Sequence, residues 1–142
     1  MKLKIKIKRL EKDVITPSYA LEGDAGLDIY SREDAIIKPG EKHIFHTGFA
    51  LEIPSGYCAL IWDKGRISNL YGLKVMGGVF EYTYRGEYKI CIFNLGKNSY
   101  EFKKGDKIAQ FLIQPIITAE LVEVDELSET KRGHGRWGST GK

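Results

Sequence analysis

Apolar and polar positions alternate in short stretches along most of the chain, and turn residues separate one stretch from the next. Lys2–Ile7, KLKIKI, alternates strictly, so Leu3, Ile5 and Ile7 share one face and the lysines the other. This predicts a half-buried strand whose basic side guards a sheet edge. Thr16-Pro17-Ser18 breaks the pattern, and Glu22–Tyr30 predicts a glycine-rich turn feeding a short strand. Ile36–Gly40 ends on the turn signal Lys38-Pro39-Gly40. His43–Leu51 predicts one further strand, closed by the turn Ile53–Gly56. Tyr57–Trp62, YCALIW, is apolar throughout, as a strand buried on both faces would be. Asn69–Gly72 predicts a turn or a short helix. Strands are then expected within Gly77–Glu87 and over Tyr88–Asn94, Ile108–Ile113 and Ile116–Val124.

Short strands at regular spacing with turns between them predict an all-β fold, a distorted jelly-roll β-barrel. Composition agrees: 16 glycines and 8 tyrosines stand against only 2 methionines in 142 residues. One barrel domain is expected over residues 1–127, with no internal repeat. From Ser128 onward apolar periodicity stops, so residues 128–142, basic and glycine-rich, predict a mobile C-terminal arm. A net charge of +3 suits an anionic small ligand as well as it suits nucleic acid, and decides little. The lysines of the first strand have no interleaved aromatic residues, which makes nucleic-acid binding the weaker reading. Cys58 and Cys91 lie in strand-like runs without a paired spacing, which predicts reduced thiols. No apolar run is long enough to span a membrane and the N-terminus has no signal-peptide core. A soluble, intracellular, cytoplasmic protein is the expectation.

Four stretches could carry chemistry. The first is Gly77–Glu87, GGVFEYTYRGE, where a lone carboxylate, Glu81, follows the apolar pair Val79-Phe80 and precedes Tyr84. Paired glycines let backbone approach a ligand closely. An ordinary hairpin with Glu81 in solvent explains the stretch equally well. The second is the arm: Arg132, Gly138, Ser139 and Thr140 offer a guanidinium, hydroxyls and unencumbered amides, a combination that wraps polyphosphate. The order is not that of a Walker A loop. Trp137 has no core to join there, and the competing reading is a disordered basic tail. The third is Asp63–Ser68, with Lys64, Gly65 and Arg66 on a loop after an apolar strand, where a plain surface loop is the commoner explanation. The fourth, Gly105–Gln110, is otherwise a turn entering a strand.

Taken in chain order together with Ala25–Tyr30, these stretches resemble the five motifs of the homotrimeric dUTPases (deoxyuridine triphosphate nucleotidohydrolases). AGLDIY at Ala25–Tyr30 matches the first motif, KGRIS at Lys64–Ser68 the second, GGVFEYTYRGE the third, GDKIAQ the fourth and RGHGRWGSTG at Arg132–Gly141 the fifth. The resemblance implies a jelly-roll subunit in a homotrimer, with dUTP bound at sites shared between subunits and closed by the C-terminal arm. Backbone around Val79, Phe80 and Glu81, together with Lys89, would read uracil. Tyr84 would lie under the deoxyribose and leave no room for a 2′-hydroxyl. Lys64, Gly65, Arg66, Gln110, Arg132, Gly138, Ser139 and Thr140 would hold the triphosphate, and Trp137 would stack on the base. Mg²⁺ would bridge the phosphates, with Asp28 placing the metal and its water. Glu81 would activate the water that attacks the α-phosphorus, giving dUMP and pyrophosphate.

Three positions depart from the family pattern. Glu81 stands where the family has Asp, Lys64-Gly65-Arg66 where it has Arg-Ser-Gly, and Trp137 where it has Phe. One more methylene at 81 moves the carboxylate by roughly an ångström, a displacement that can cost about a hundredfold in rate. Two other readings stay open: a slow or inactive dUTP-binding regulatory protein, and a dCTP deaminase, whose enzymes share the barrel and use a Glu. Tyr84 and the complete fifth motif favour the diphosphatase.

Overall fold

The computed structural model describes residues 2–141; Met1 and Lys142, the outer ends of the expected barrel and arm, lie outside the described residues. In chain order the strands are β1 (Lys6–Arg9), β2 (Leu27–Tyr30), β3 (Ala35–Ile37), β4 (Lys42–His46), β5 (Phe49–Glu52) and β6 (Tyr57–Trp62). After a single helix, α1 (Gly65–Tyr71), come β7 (Leu73–Met76), β8 (Val79–Glu81), β9 (Lys89–Asn94), β10 (Tyr100–Phe102) and β11 (Lys107–Pro115). Every strand pair is antiparallel, and the ladders form four small sheets: β2-β11-β6-β8, β4-β9-β7, β1-β5 and β3-β10. They surround one apolar core, the jelly-roll-like arrangement that the pattern predicts.

Alternation builds that core. On β9, Ile90, Ile92 and Asn94 point inward and are fully buried, while Lys89, Cys91 and Phe93 point out. Phe45 from β4 meets Phe102 from β10 edge-on, 5.1 Å between ring centres, tying two sheets together. Burying each such side chain contributes about 1.5–3 kcal/mol. Asn94 is the polar pin: its amide donates to the carbonyls of Ile37 and Asn98 at 2.8 and 2.9 Å and accepts from the Gly96 N–H at 2.8 Å. All its groups are satisfied, so the buried amide costs little and fixes the sheet ends.

Several expectations need correction. The strand expected over Lys2–Ile7 is formed only from Lys6 to Arg9, and all four residues are exposed. Leu3, Ile5 and Ile7 instead line an open groove of about 490 Å³ with Tyr19, Leu27 and Phe111. Alternation predicts which face is apolar but not whether anything covers it. His43–Leu51 is two strands, because Gly48 adopts φ 74° and a Cβ there would stand 2.6 Å from Val14. Ile116–Val124 makes no strand: β11 ends at Pro115, and Ile117 and Leu121 are each 95% exposed. A strand needs a partner along its backbone, and among the described residues only the Ile116 N–H finds one, the Gly56 carbonyl at 2.9 Å. Asn69–Gly72, by contrast, does lie in a helix end, with Gly72 as its left-handed cap. No helix among the described residues is long and apolar enough to cross a membrane.

Candidate active site

The third motif is a short strand and a braced turn rather than one continuous strand. β8 pairs with β6, placing Glu81 opposite Cys58 and Val79 opposite Leu60. Gly78, at φ 107°, accepts the Ile61 N–H on its carbonyl at 2.7 Å, and a Cβ there would crowd the Ile61 carbonyl at 2.9 Å. Only glycine fits that approach. Beyond β8 the Tyr84 N–H donates to the Glu81 carbonyl at 3.0 Å and turns the chain. The Tyr84 hydroxyl then donates to the Glu87 carbonyl at 2.9 Å, holding the ring across the turn. Underneath, Phe80 stacks on buried Tyr88 with 4.1 Å between ring centres, and Tyr84 lies 5.6 Å from Phe80. Val79, Phe80 and Lys89 line one small cleft of about 90 Å³ with Gly78 and Met76. The residues expected to contact a nucleoside are thus brought together.

Glu87 and Tyr88 are the supports that the motif reading left without a role. Glu87 accepts the Gly48 N–H at 2.9 Å and meets the His46 ring at 3.1 Å, fastening the turn to the β4–β5 connection. Burial alone would raise the Glu87 pKa, but the Gly48 N–H and His46 outweigh it and the carboxyl sits below its ordinary value. Burial pushes the Tyr88 hydroxyl well up, so it stays neutral. Nothing in the sequence marks these jobs, since Gly48 and His46 come from a different part of the chain.

A second cluster forms at the far end of β6. Gln110 on β11 faces Asp28 on one side and Trp62 on the other. Its amide donates to the Asp63 carbonyl at 2.9 Å, which holds the loop that carries Lys64, Gly65 and Arg66. The Lys64 ammonium lies 2.6 Å from Asp28 Oδ1, and that of Lys107 lies 2.6 Å from Asp28 Oδ2. Arg66 leans over the Tyr71 ring, 5.5 Å from its centre. Asp63 is taken up by the Val75 N–H and by Lys74.

Asp28 is 1% exposed and both its oxygens face ammonium groups. Burial raises its pKa, yet Lys107 and Lys64 outweigh burial and keep it ionised. Oδ2 lacks an aligned hydrogen bond, but the Lys107 charge already fills its open side. Among the described residues no three His, Cys, Asp or Glu side chains converge as a metal set. The donor groups present do not fit a protein-held Mg²⁺.

The two clusters stand apart along β6. Four residue steps along β6 lead from Cys58, opposite Glu81, to Trp62, opposite Gln110. At about 3.3 Å per residue that is roughly 13 Å. The arm joins neither cluster: it runs through turns closed by Gly133 on Thr130, Gly135 on Arg132 and Gly141 on Gly138. Trp137 is 89% exposed, with the Arg136 guanidinium 4.8 Å over its ring. Arg132, Gly138, Ser139 and Thr140 are therefore together with one another and apart from Glu81, Lys64 and Gln110. Among the motif acids, Asp28, Asp63, Glu87 and Asp106 are all engaged by neighbours, whereas exposed Glu81 makes no side-chain hydrogen bond or ion pair with the described residues.

A jelly-roll-like subunit thus carries a small cleft beside the third motif, a cationic cluster around Asp28 and an exposed glycine-rich arm. The family model described as dUTPase matches residues 12–141. The deoxyuridine 5'-triphosphate nucleotidohydrolase of Nautilia profundicola is 42% identical over 142 residues, covering 99% of this chain and 100% of that one. Among solved structures, the Staphylococcus bacteriophage 80alpha dUTPase with dUPNHPP matches at TM-score 0.91 and 30% identity, over 98% of this chain and 99% of that one. A mutant dUTPase of phage phi11 of S. aureus, whose structure details a structural Mg(II) ion, matches at TM-score 0.80 and 28% identity, over 87% and 97% of the two chains. The chain belongs to the dUTPase family.

Proposed function

We propose that the protein is a dUTP diphosphatase that hydrolyses dUTP to dUMP and pyrophosphate in a homotrimer with shared active sites. The observation that carries this reading is the contrast among the motif acids: among the described residues Glu81 alone is unengaged, and it follows directly on Val79 and Phe80, which line the cleft with Lys89. A general base needs a free carboxylate beside its substrate.

In this reading the backbone from Val79 to Glu81 and Lys89 hold uracil, and Tyr84, fixed by its bond to Glu87, walls off a 2′-hydroxyl. Glu81 takes a proton from water, whose oxygen attacks the α-phosphorus in line; the bond to the bridging oxygen breaks and pyrophosphate leaves. Lys64, Gly65, Arg66 and Gln110 of a second subunit, and Arg132, Gly138, Ser139 and Thr140 of a third arm, hold the phosphates. Trp137 stacks on the base. The spacing along β6 and the detached arm both support sharing between copies, because one chain leaves its parts unjoined. Mg²⁺ would enter bound to the triphosphate, whose oxygens and water it prefers, and would supply charge neutralisation there.

Incubation with dUTP and Mg²⁺ tests the reading by release of pyrophosphate. Ammonia from dCTP would instead identify a deaminase. Tight binding of dUTP without turnover would identify a regulatory protein, the reading favoured by Glu81 itself, whose longer side chain departs from the family's Asp.

A further inference from the structure

Asp28 is the most deeply buried acid of the chain, and what faces it is unusual: two lysines from separate motifs, one on each oxygen. Lys64 comes from the loop after β6 and Lys107 from the start of β11, where the register with β2 shifts. Their side chains are 27% and 42% exposed, so neither lysine is sealed from solvent as Asp28 is. The backbone of Asp28 is itself pinned, its N–H donating to the Ser18 carbonyl at 2.8 Å. A rigid anion thus fixes two long, flexible cations.

We propose that Asp28 is a positioning residue that aims Lys64 at the triphosphate, that Lys107 is a second, unassigned phosphate-facing cation of the same cluster, and that Asp28 holds no metal. The inference rests on the dUTP diphosphatase reading and adds to it. Lysine is a point charge on four methylenes and, unlike arginine, brings no planar fork of its own. A buried carboxylate restores the direction that the side chain lacks. Sharing that one negative charge between two ammonium groups leaves the cluster with a net positive charge, available to phosphate oxygens. A hydrated Mg²⁺ would have to displace Lys107 to reach Oδ2, and would then face the Lys64 charge at close range.

Calorimetric binding of the non-hydrolysable analogue dUpNHpp, in EDTA and in Mg²⁺, separates the two roles. Asp28→Asn and Lys107→Gln should each weaken binding in EDTA, the former by about tenfold, the scale of one charged hydrogen bond. Neither should move the midpoint of a Mg²⁺ titration. Adding Lys64→Met to Asp28→Asn should cost little more than Asp28→Asn alone, whereas a purely structural Asp28 would give additive losses. If Asp28→Asn does not fold, because a broken buried pair is costly, Lys107→Gln decides. Unchanged binding in Asp28→Asn and Lys107→Gln, read in EDTA or, if the wild type binds only with Mg²⁺, in saturating Mg²⁺, or a lower Mg²⁺ requirement in Lys107→Gln, would each overturn the proposal. A wild-type chain that binds no dUpNHpp under either condition would instead remove the diphosphatase reading itself.

Discussion

Tyr84 donates its hydroxyl to the carbonyl of Glu87 at 2.9 Å, so the ring expected beneath a deoxyribose is held by the turn it belongs to. Gly86 lies between the two, and a Cβ at that position would stand 2.4 Å from the Tyr84 oxygen. Gly86→Ala is expected to push the ring aside and break the bond. The barrel lies elsewhere, so the melting temperature should fall by only a few degrees, the effect of about 1 kcal/mol. Selectivity for dUTP over UTP should drop, because the wall against the 2′-hydroxyl has moved. Competition kinetics with the two nucleotides measures this, and full selectivity in Gly86→Ala would assign discrimination to another residue.

Removing the base is expected to separate chemistry from binding. Glu81→Gln keeps the shape and loses the proton acceptor, so turnover should fall by about 10²–10⁴-fold. Affinity for dUpNHpp should stay within a few-fold of wild type. Glu81→Asp should also be slower, by up to about a hundredfold, since the site has formed around the longer side chain. Single-turnover release of pyrophosphate is the measurement. Wild-type rates in Glu81→Gln would point to a different carboxylate.

The division of the site predicts complementation. Glu81→Gln and Arg132→Ala chains, each inactive alone, should recover part of the wild-type rate when unfolded together and refolded as mixed oligomers. Mixed subunits can supply an intact Glu81 from one chain and an intact arm from another. Ending the chain at Leu127 should abolish turnover while leaving the thermal unfolding of the barrel unchanged, since the arm is exposed and hydrogen-bonded only to itself. Mixed oligomers as inactive as their parents would place the whole site within one chain.

Acid should loosen the nucleoside turn through Glu87. Burial alone would raise its pKa, but the Gly48 N–H and His46 hold it below the ordinary 4.5. A carboxyl depressed in the folded state adds stability that is complete above 4.5 and is lost as pH falls through the folded value. Glu87→Gln should therefore melt lower than wild type near neutral pH, by on the order of 3–5 °C. The gap should narrow steadily below pH 4.5. Melting curves from neutral pH down through the carboxylate range measure it, and a gap independent of pH would mean that the Gly48 contact survives protonation.

Much of this molecule is written locally. The inward face of β9 and the turn at Lys38-Pro39-Gly40 follow from side-chain period and backbone preference, which act over a few residues. Tyr57–Trp62 could be delimited to the residue from its apolar run, and the motifs that mark the dUTPase family are contiguous and therefore readable. Pairing is not local. That Gly48 would divide His43–Leu51, that Ile116–Val124 would lack a strand beside it, and that Glu87 would be fastened to His46 depend on which distant backbone lies next to which. The same reason hid the fate of Asp28: the first-motif resemblance casts it as an acid that places a metal, and only folding brings Lys64 and Lys107 onto its two oxygens. Residue types determine what chemistry each motif can offer. The tertiary structure decides which of the motif carboxylates are consumed in holding the chain together and that, among the described residues, Glu81 is not.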